Sequence, residues 1–412
     1  MTHSTIPLWP SIPFALLLFC IAILPLAAGH FWESNRNKAW VGLVLSIPVL
    51  AWLFHHEPAA IGHTLHEYAS FLCLLASLFV ISGGISLRGD LEGTPVVNTI
   101  FLAIGAVLAN FIGTTGASML LIRAFLKTNS ERHKTAHLPV FFIFVVSNCG
   151  GLLTPLGDPP LFLGYLRGVP FLWTLRLWPI WAGVVGTLLL IFHLWDRWAY
   201  AHETRKALQK DKSKTQPLRL KGLINVFFLG GVIYSVFLES PWREILMVTM
   251  AALSLFVGPK TPRKENNFTW GPITEVAILF AGIFITMVPA LMFLKDWGPQ
   301  SGIHEPWQFF WLSGILSSFL DNAPTYLTFL SLAQGLGLHG SVVGVPTNLL
   351  MAISAGAVLM GANSYIGNGP NFMVKAIADH AGFKTPSFFG YMGYAGLVLI
   401  PVFIGVTFLF FV

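Results

Sequence analysis

The chain has 412 residues, 55% of them hydrophobic and only 10% charged, with a formal net charge of +6. A soluble domain carries roughly 25% charged residues, so this composition excludes a water-soluble enzyme and points to a polytopic membrane protein. Cys20, Cys73 and Cys149 lie in apolar runs without metal-type spacing and read as small buried hydrophobes.

A hydrocarbon core about 30 Å thick needs roughly 20 apolar residues per crossing helix. The first run, 11–29, has no Lys or Arg before it and follows Pro7 and Pro10, so it reads as a retained span, not a signal peptide. Spans at 38–54 and 65–87 follow. Residues 96–127 are too long for one crossing and too short for two, and break at Gly113-Thr114-Thr115. They read as a re-entrant helical hairpin. Residues 138–166 break between Ser147 and Pro160, and read as one crossing built from two half-helices. Irregular backbone at that depth is tolerated only when buried in protein or lining a wet cavity. A span at 171–195 completes a first membrane repeat, 1–197. The cationic stretch 198–221 reads as a cytoplasmic, solvated linker.

The second repeat, 222–412, uses the same order of parts. Spans at 222–238, 242–258 and 272–295 precede a hairpin at 305–335, broken at Asp321-Asn322-Ala323-Pro324. A crossing at 345–381 breaks between Gly361 and Pro370, and a final span covers 386–411. Phe111 aligns with Phe319, Gly157 with Gly367, and Glu67 with Glu275. The expected fold is all-α, with about 10 transmembrane helices plus two re-entrant hairpins. An odd number of crossings per half makes this an inverted-topology repeat, an architecture associated with alternating access.

Loop charge sets the orientation. With the N-terminus outside, Arg36, Lys38, Arg88, Lys127, Arg132 and Lys134 fall in the cytoplasm, with the linker run from Arg197 to Lys221. Lys260, Arg263, Lys264 and Lys384 join them, while Arg167, Arg243 and Lys295 stay outside. The positive-inside bias places both termini outside and the protein in the cell membrane. Lipid therefore accounts for the basic balance, and nucleic acid does not.

Asp321 is the sharpest chemical signal, an acid at a hairpin tip in the membrane interior. It is also a good N-cap for the helix beginning near Pro324. Asp158 is the second candidate, set among Pro155, Pro159 and Pro160, which remove backbone donors and leave carbonyls free. Free carbonyls and a carboxylate suit a small hard cation. A turn role, capping the half-helix after Pro160, is its structural alternative. The matching residue in the second half is Asn368. Among the neutral polar residues gathered at the breaks, Asn110, Thr115, Asn148, Asn322 and Asn363 are the candidates for direct contact. Lys375 and Arg123 read as snorkelling to the cytoplasmic face. His55, His56, His63 and His66 crowd one external loop with irregular spacing, and read as an interfacial loop rather than a zinc cluster.

The run Ser147-Asn148-Cys149-Gly150-Gly151-Leu152-Leu153-Thr154-Pro155-Leu156-Gly157-Asp158 resembles the N-x-G-G-x-x-T-P-x-G-D stretch of NhaD-type sodium/proton antiporters, in the ion transporter superfamily. Asp321-Asn322-Ala323-Pro324 resembles their D-N-x-P hairpin tip. The resemblance implies exchange of sodium or lithium for protons, with no cofactor, and a homodimer of scaffold and transport bundles. NhaD-type members usually also carry an acid in the first hairpin, where this chain offers Asn110, Gly113, Thr114 and Thr115. Citrate carriers of the same superfamily share much of the pattern, so a cation-coupled citrate or dicarboxylate carrier is the alternative. An intramembrane aspartyl protease would need a G-x-G-D run, and Pro155 breaks it.

Overall fold

The computed structural model describes residues 6–338, 340 and 342–412. Residues 1–5 of the first repeat, and 339 and 341 of the second, lie outside the described residues. The first half runs α1 (Ile12–Ala27), α2 (Gly29–Trp32), α3 (Asn35–His56), α4 (Pro58–Gly83), β1 (Ser86–Asp90), α5 (Pro95–Thr128), α6 (His137–Val145), α7 (Pro159–Leu166) and α8 (Trp178–Ala201). Next come α9 (Arg205–Ser213) and β2 (Gln216–Lys221). The second half runs α10 (Ile224–Ser235), α11 (Trp242–Phe256), α12 (Lys260–Glu265), α13 (Gly271–Trp297), α14 (Pro306–Ser317), α15 (Asn322–Gly335), α16 (Thr347–Leu359), α17 (Gly369–His380) and α18 (Phe388–Phe410).

The protein is an all-α polytopic membrane protein. Among the described residues, six helical segments are long and apolar enough to cross a bilayer, and shorter apolar helices cover Trp9–Pro25, His137–Leu153, Ile224–Ser235 and Thr347–Asn363. Large side chains such as Phe227, Phe256, Phe389 and Phe408 point outward, as lipid contact requires. Helix starts are set by proline, at the first or second position of α4, α5, α7, α8, α13, α14 and α17. Its fixed φ and missing N–H suit that place. Thr94 adds a side-chain cap to α5 and a Glu305–Gln308 capping box closes α14.

Both predicted hairpins are present. α5 is broken at Gly113, whose φ of 75° and ψ of 156° lie outside the helical region and fall where a side chain is disfavoured. The second hairpin is α14 and α15, broken at Ser318–Asp321. Their open ends lie at opposite ends of α13. The start of α13 adjoins the sheet, because Asn266 donates to the carbonyls of Gly83 and Ile85. The base of α5 lies on that same side, where Leu91 N–H donates to Thr128 Oγ1. At the far end of α13, a Cβ on Gly298 would lie 2.8 Å from the Leu332 carbonyl, so the base of the second hairpin packs there.

α13 also holds the frame together. Gly282 faces Gly42 of α3 so closely that a Cβ would come within 3.2 Å of its Cα, the small-residue approach typical of membrane helices. Phe71 of α4 stacks on Phe280 at 4.8 Å and packs against Phe284 at 5.5 Å. At the base of the first hairpin, Arg132 and Asp196 are fully buried and 2.6 Å apart, with His137 Nε2 2.9 Å from the same carboxylate oxygen.

The linker departs from a plain solvated connector. α9 buries Asp211, whose carboxylate accepts from Gly93 N–H at 2.8 Å. β2 pairs antiparallel with β1, in the register Ser86↔Lys221, Leu87↔Leu220 and Arg88↔Arg219. Glu265 clamps this sheet, accepting from Lys221 and Ser86 at 2.6 Å each. Those hydrogen bonds hold its carboxyl below the usual range.

Candidate functional site

The two broken crossings are built alike. In the first, α6 gives way to a short 3-10 turn at Cys149–Leu153 before α7 begins. In the second, α16 gives way to a 3-10 turn at Met360–Asn363 before α17 begins. Each loop folds back on itself through paired glycines. A Cβ on Gly157 would lie 2.2 Å from the Gly151 carbonyl oxygen, and one on Gly367 would lie 2.5 Å from that of Gly361. Only glycine permits either approach.

Each break is tied to the hairpin of its own half. Thr154 Oγ1 donates to the Asn110 carbonyl at 2.5 Å, and Ser364 Oγ donates to the Ser318 carbonyl. The Asn110 side chain completes the first tie, accepting from Leu153 N–H at 2.9 Å and donating to the Ala106 carbonyl. Asn363 completes the second, donating to Ser318 Oγ at 2.9 Å. Asn110 and Asn363 are therefore joints between break and hairpin. Neither lines the cavity described below.

Asp158 stands where the four interrupted segments meet. It is 1% exposed. Thr114 of the first hairpin donates to its Oδ1 at 2.9 Å, Asn368 of the second break donates to Oδ1 at 3.2 Å, and Asn322 of the second hairpin donates to Oδ2. Asp158 occupies the N-cap position of α7, yet its side chain makes no capping hydrogen bond. The turn role open in the sequence is thus not taken.

Asp321 behaves the other way. Its carboxylate accepts from Ala323 N–H at 3.0 Å and caps α15. It also lines a cavity of about 110 Å³ with Asp158, Gly113, Thr114, Thr115 and Asn368. The rest of that wall is largely apolar, including Leu75, Leu78, Phe79 and Phe280. No Lys or Arg lines it among the described residues. The N-termini of α7 and α17 open onto it, with Pro159 and Pro370 in the wall.

Behind the cavity the amides form a chain. Asn368 Nδ2 also donates to Asn148 Oδ1 at 3.2 Å and to the Ser147 carbonyl. Asn148 donates to Asn371 Oδ1 at 2.7 Å, and Asn371 donates to the carbonyls of Gly361 and Ser364. Asn322 is fully buried, and its Oδ1 has no hydrogen-bond partner among the described residues. A buried carboxylate supplied only by hydroxyl and amide donors carries an uncompensated charge when ionised. Such a group binds a cation or takes a proton.

Of the residues singled out in the sequence, the structure gathers Asp158, Asn322 and Asn368 in direct contact. It puts Asp321 and Thr115 on the cavity wall, and Asn148 one amide further back. Thr114 and Asn371 join this network beyond the contact residues expected from the sequence. Thr114 was legible in principle, since it aligns with Asn322 when Phe111 is set on Phe319. Lys375 pairs with Asp379 at 2.6 Å and does not face either intramembrane acid. His66 bonds Ser240 Oγ at 2.8 Å and His56 bonds the Trp52 carbonyl at 2.9 Å. Among the described residues no group of three or more His, Cys, Asp or Glu is placed to hold a metal ion.

The model of a family described as "Putative citrate transport" matches residues 3–411. No curated protein matches the chain.

Proposed function

Since the chain belongs to the family described as "Putative citrate transport", we propose that this secondary transporter carries citrate or a related carboxylate coupled to a small cation or proton. One observation carries the coupling half of the reading: Asp158 is buried and receives Thr114, Asn322 and Asn368 from both halves, with no basic side chain in contact among the described residues. Asp158 is the seat of the cation or proton, and the unpartnered Asn322 Oδ1 is a second oxygen for it. The N-termini of α7 and α17 face the same cavity and favour the anionic end of a substrate. Asp321 tunes the site from the wall.

The two halves, 1–197 and 222–412 around the linker 198–221, act as inverted repeats in alternating access. The opposed hairpins support this, as does the parallel build of the breaks. The protein works in the cell membrane with both termini outside.

Sodium or lithium exchange for protons is the second reading. It is favoured by the absence of Lys and Arg from the cavity wall among the described residues, an unfriendly setting for a bare tricarboxylate. Reconstitution into vesicles separates the two. Uptake of labelled citrate driven by a sodium or proton gradient, with no cation-driven collapse of a pH gradient when citrate is absent, is expected. Collapse without citrate, together with no citrate uptake, would replace the first reading by the second.

A further inference from the structure

A second cavity, of about 390 Å³, lies on the face that carries the β1–β2 sheet. The base of α5 supplies Arg123 and Lys127, β1 supplies Arg88, and the end of α17 and its following loop supply Ile377 and Phe383. It is a different place from the Asp158 cavity and shares no lining residue with it.

The charges in this cavity are unevenly matched. Lys127 is 3.4 Å from Asp90 and Arg88 is 3.5 Å from Glu265, yet both side chains remain more than half exposed. Arg123 has no carboxylate partner among the described residues, and its Nη1 is buried without a hydrogen-bond acceptor. A buried donor left unpaired is costly, and more so when the group is charged. Snorkelling alone therefore does not satisfy Arg123. A planar guanidinium flanked by two half-exposed cations suits a ligand with several anionic oxygens, which it engages with two parallel hydrogen bonds.

We propose that the cavity between Arg123, Arg88 and Lys127 is a binding site for a multivalent oxyanion, either a polycarboxylate or a phosphate group. The ligand's oxygens take the free N–H groups of Arg123, and Lys127 and Arg88 close over it from the rim. Its location gives it mechanical reach. From Thr114 at the Asp158 site, α5 runs to Arg123 in about 13 Å at 1.5 Å per residue. From Gly369, α17 runs to Ile377 in about 12 Å on the same rise. An occupied site therefore braces the two half-helices whose other ends bound the central cavity. The site does not depend on which substrate crosses the membrane.

Local hydrogen–deuterium exchange on the full chain in neutral detergent reads this site apart from the central one. Citrate, inorganic phosphate and micelles containing an anionic phospholipid are added separately. At ten times the dissociation constant, exchange in β1 and at the end of α17 slows about tenfold in the wild type. Arg123→Gln removes the protection, and Lys127→Gln, an exposed substitution that leaves the fold intact, weakens it several-fold. Protection by citrate or phosphate assigns a free anion; protection only by the lipid assigns a headgroup. No protection by any of the three, or protection in Arg123→Gln as strong as in the wild type, overturns the proposal. Loss of vesicle transport with this protection intact would strike the transport reading alone.

Discussion

At the first break the N-cap position of the half-helix carries Asp158; at the second break the same position carries Asn368. At the hairpin tips the exchange is reversed: the first has Gly113 and the second Asp321. Each half thus has one acid and one neutral residue, in opposite places. The two acids do different work. Asp158 gives up capping and spends its oxygens on side chains from three other segments, whereas Asp321 spends an oxygen on its own helix. Near-symmetric backbones thereby hold an asymmetric charge, and one carboxylate sits at the crossing.

The sharpest break in this asymmetry is Asp158→Asn, which makes the first half chemically like the second. Transport in vesicles is expected to fall about 100-fold or more, on the scale of 2–3 kcal/mol for a charge-bearing hydrogen-bonded group. The protein still inserts and elutes as the wild type does on size exclusion. The backbone symmetry is probed next. Gly157→Ala and Gly367→Ala each place a Cβ within 2.5 Å of a carbonyl oxygen. Both should lose about 1–3 kcal/mol of stability by overpacking, read as a lower midpoint of thermal unfolding in detergent. Gly369→Ala, with nothing within 4 Å of its Cβ, should leave the midpoint unchanged. If only one of the paired glycines matters, the two breaks are less alike than their geometry.

The smallest effect is expected at Asp321. Asparagine caps a helix as well as aspartate does, so Asp321→Asn should keep the wild-type midpoint, and Asp321→Ala should lose about 1 kcal/mol. In transport, Asp321→Asn should shift ion dependence with a smaller loss than Asp158→Asn. Equal loss in both variants would show that the acids work as a pair and would remove the distinction drawn between them.

The breaks and hairpins were legible in the sequence, because glycine, proline and asparagine interrupt apolar runs that are otherwise long enough to cross. Aligning the halves paired Asp158 with Asn368, while the convergence of Asn322 and Asn368 on the Asp158 carboxylate is seen only in the structure. Which acid caps its own helix and which reaches across was not legible. Whether a carboxylate turns back onto its own helix or reaches across a cavity depends on the tip conformation, and both acids sit in N-cap sequences. The hydrogen bonds by which Asn110 and Asn363 join break to hairpin were not legible, because polarity at depth does not distinguish a contact from a joint. The β1–β2 pair was missed because Ser86–Asp90 and Gln216–Lys221 are short, charged and far apart in sequence. The buried Arg132–Asp196 pair gave no local signal for the same reason of distance.

The central claim is tested most directly by moving the carboxylate across the symmetry. Asn368 Nδ2 is 3.2 Å from Asp158 Oδ1, so the double variant Asp158→Asn with Asn368→Asp returns an acid to the crossing from the other half. Gradient-driven uptake in vesicles should vanish in Asp158→Asn alone and return in measurable part in the double variant. Wild-type uptake by Asp158→Asn alone would contradict the account.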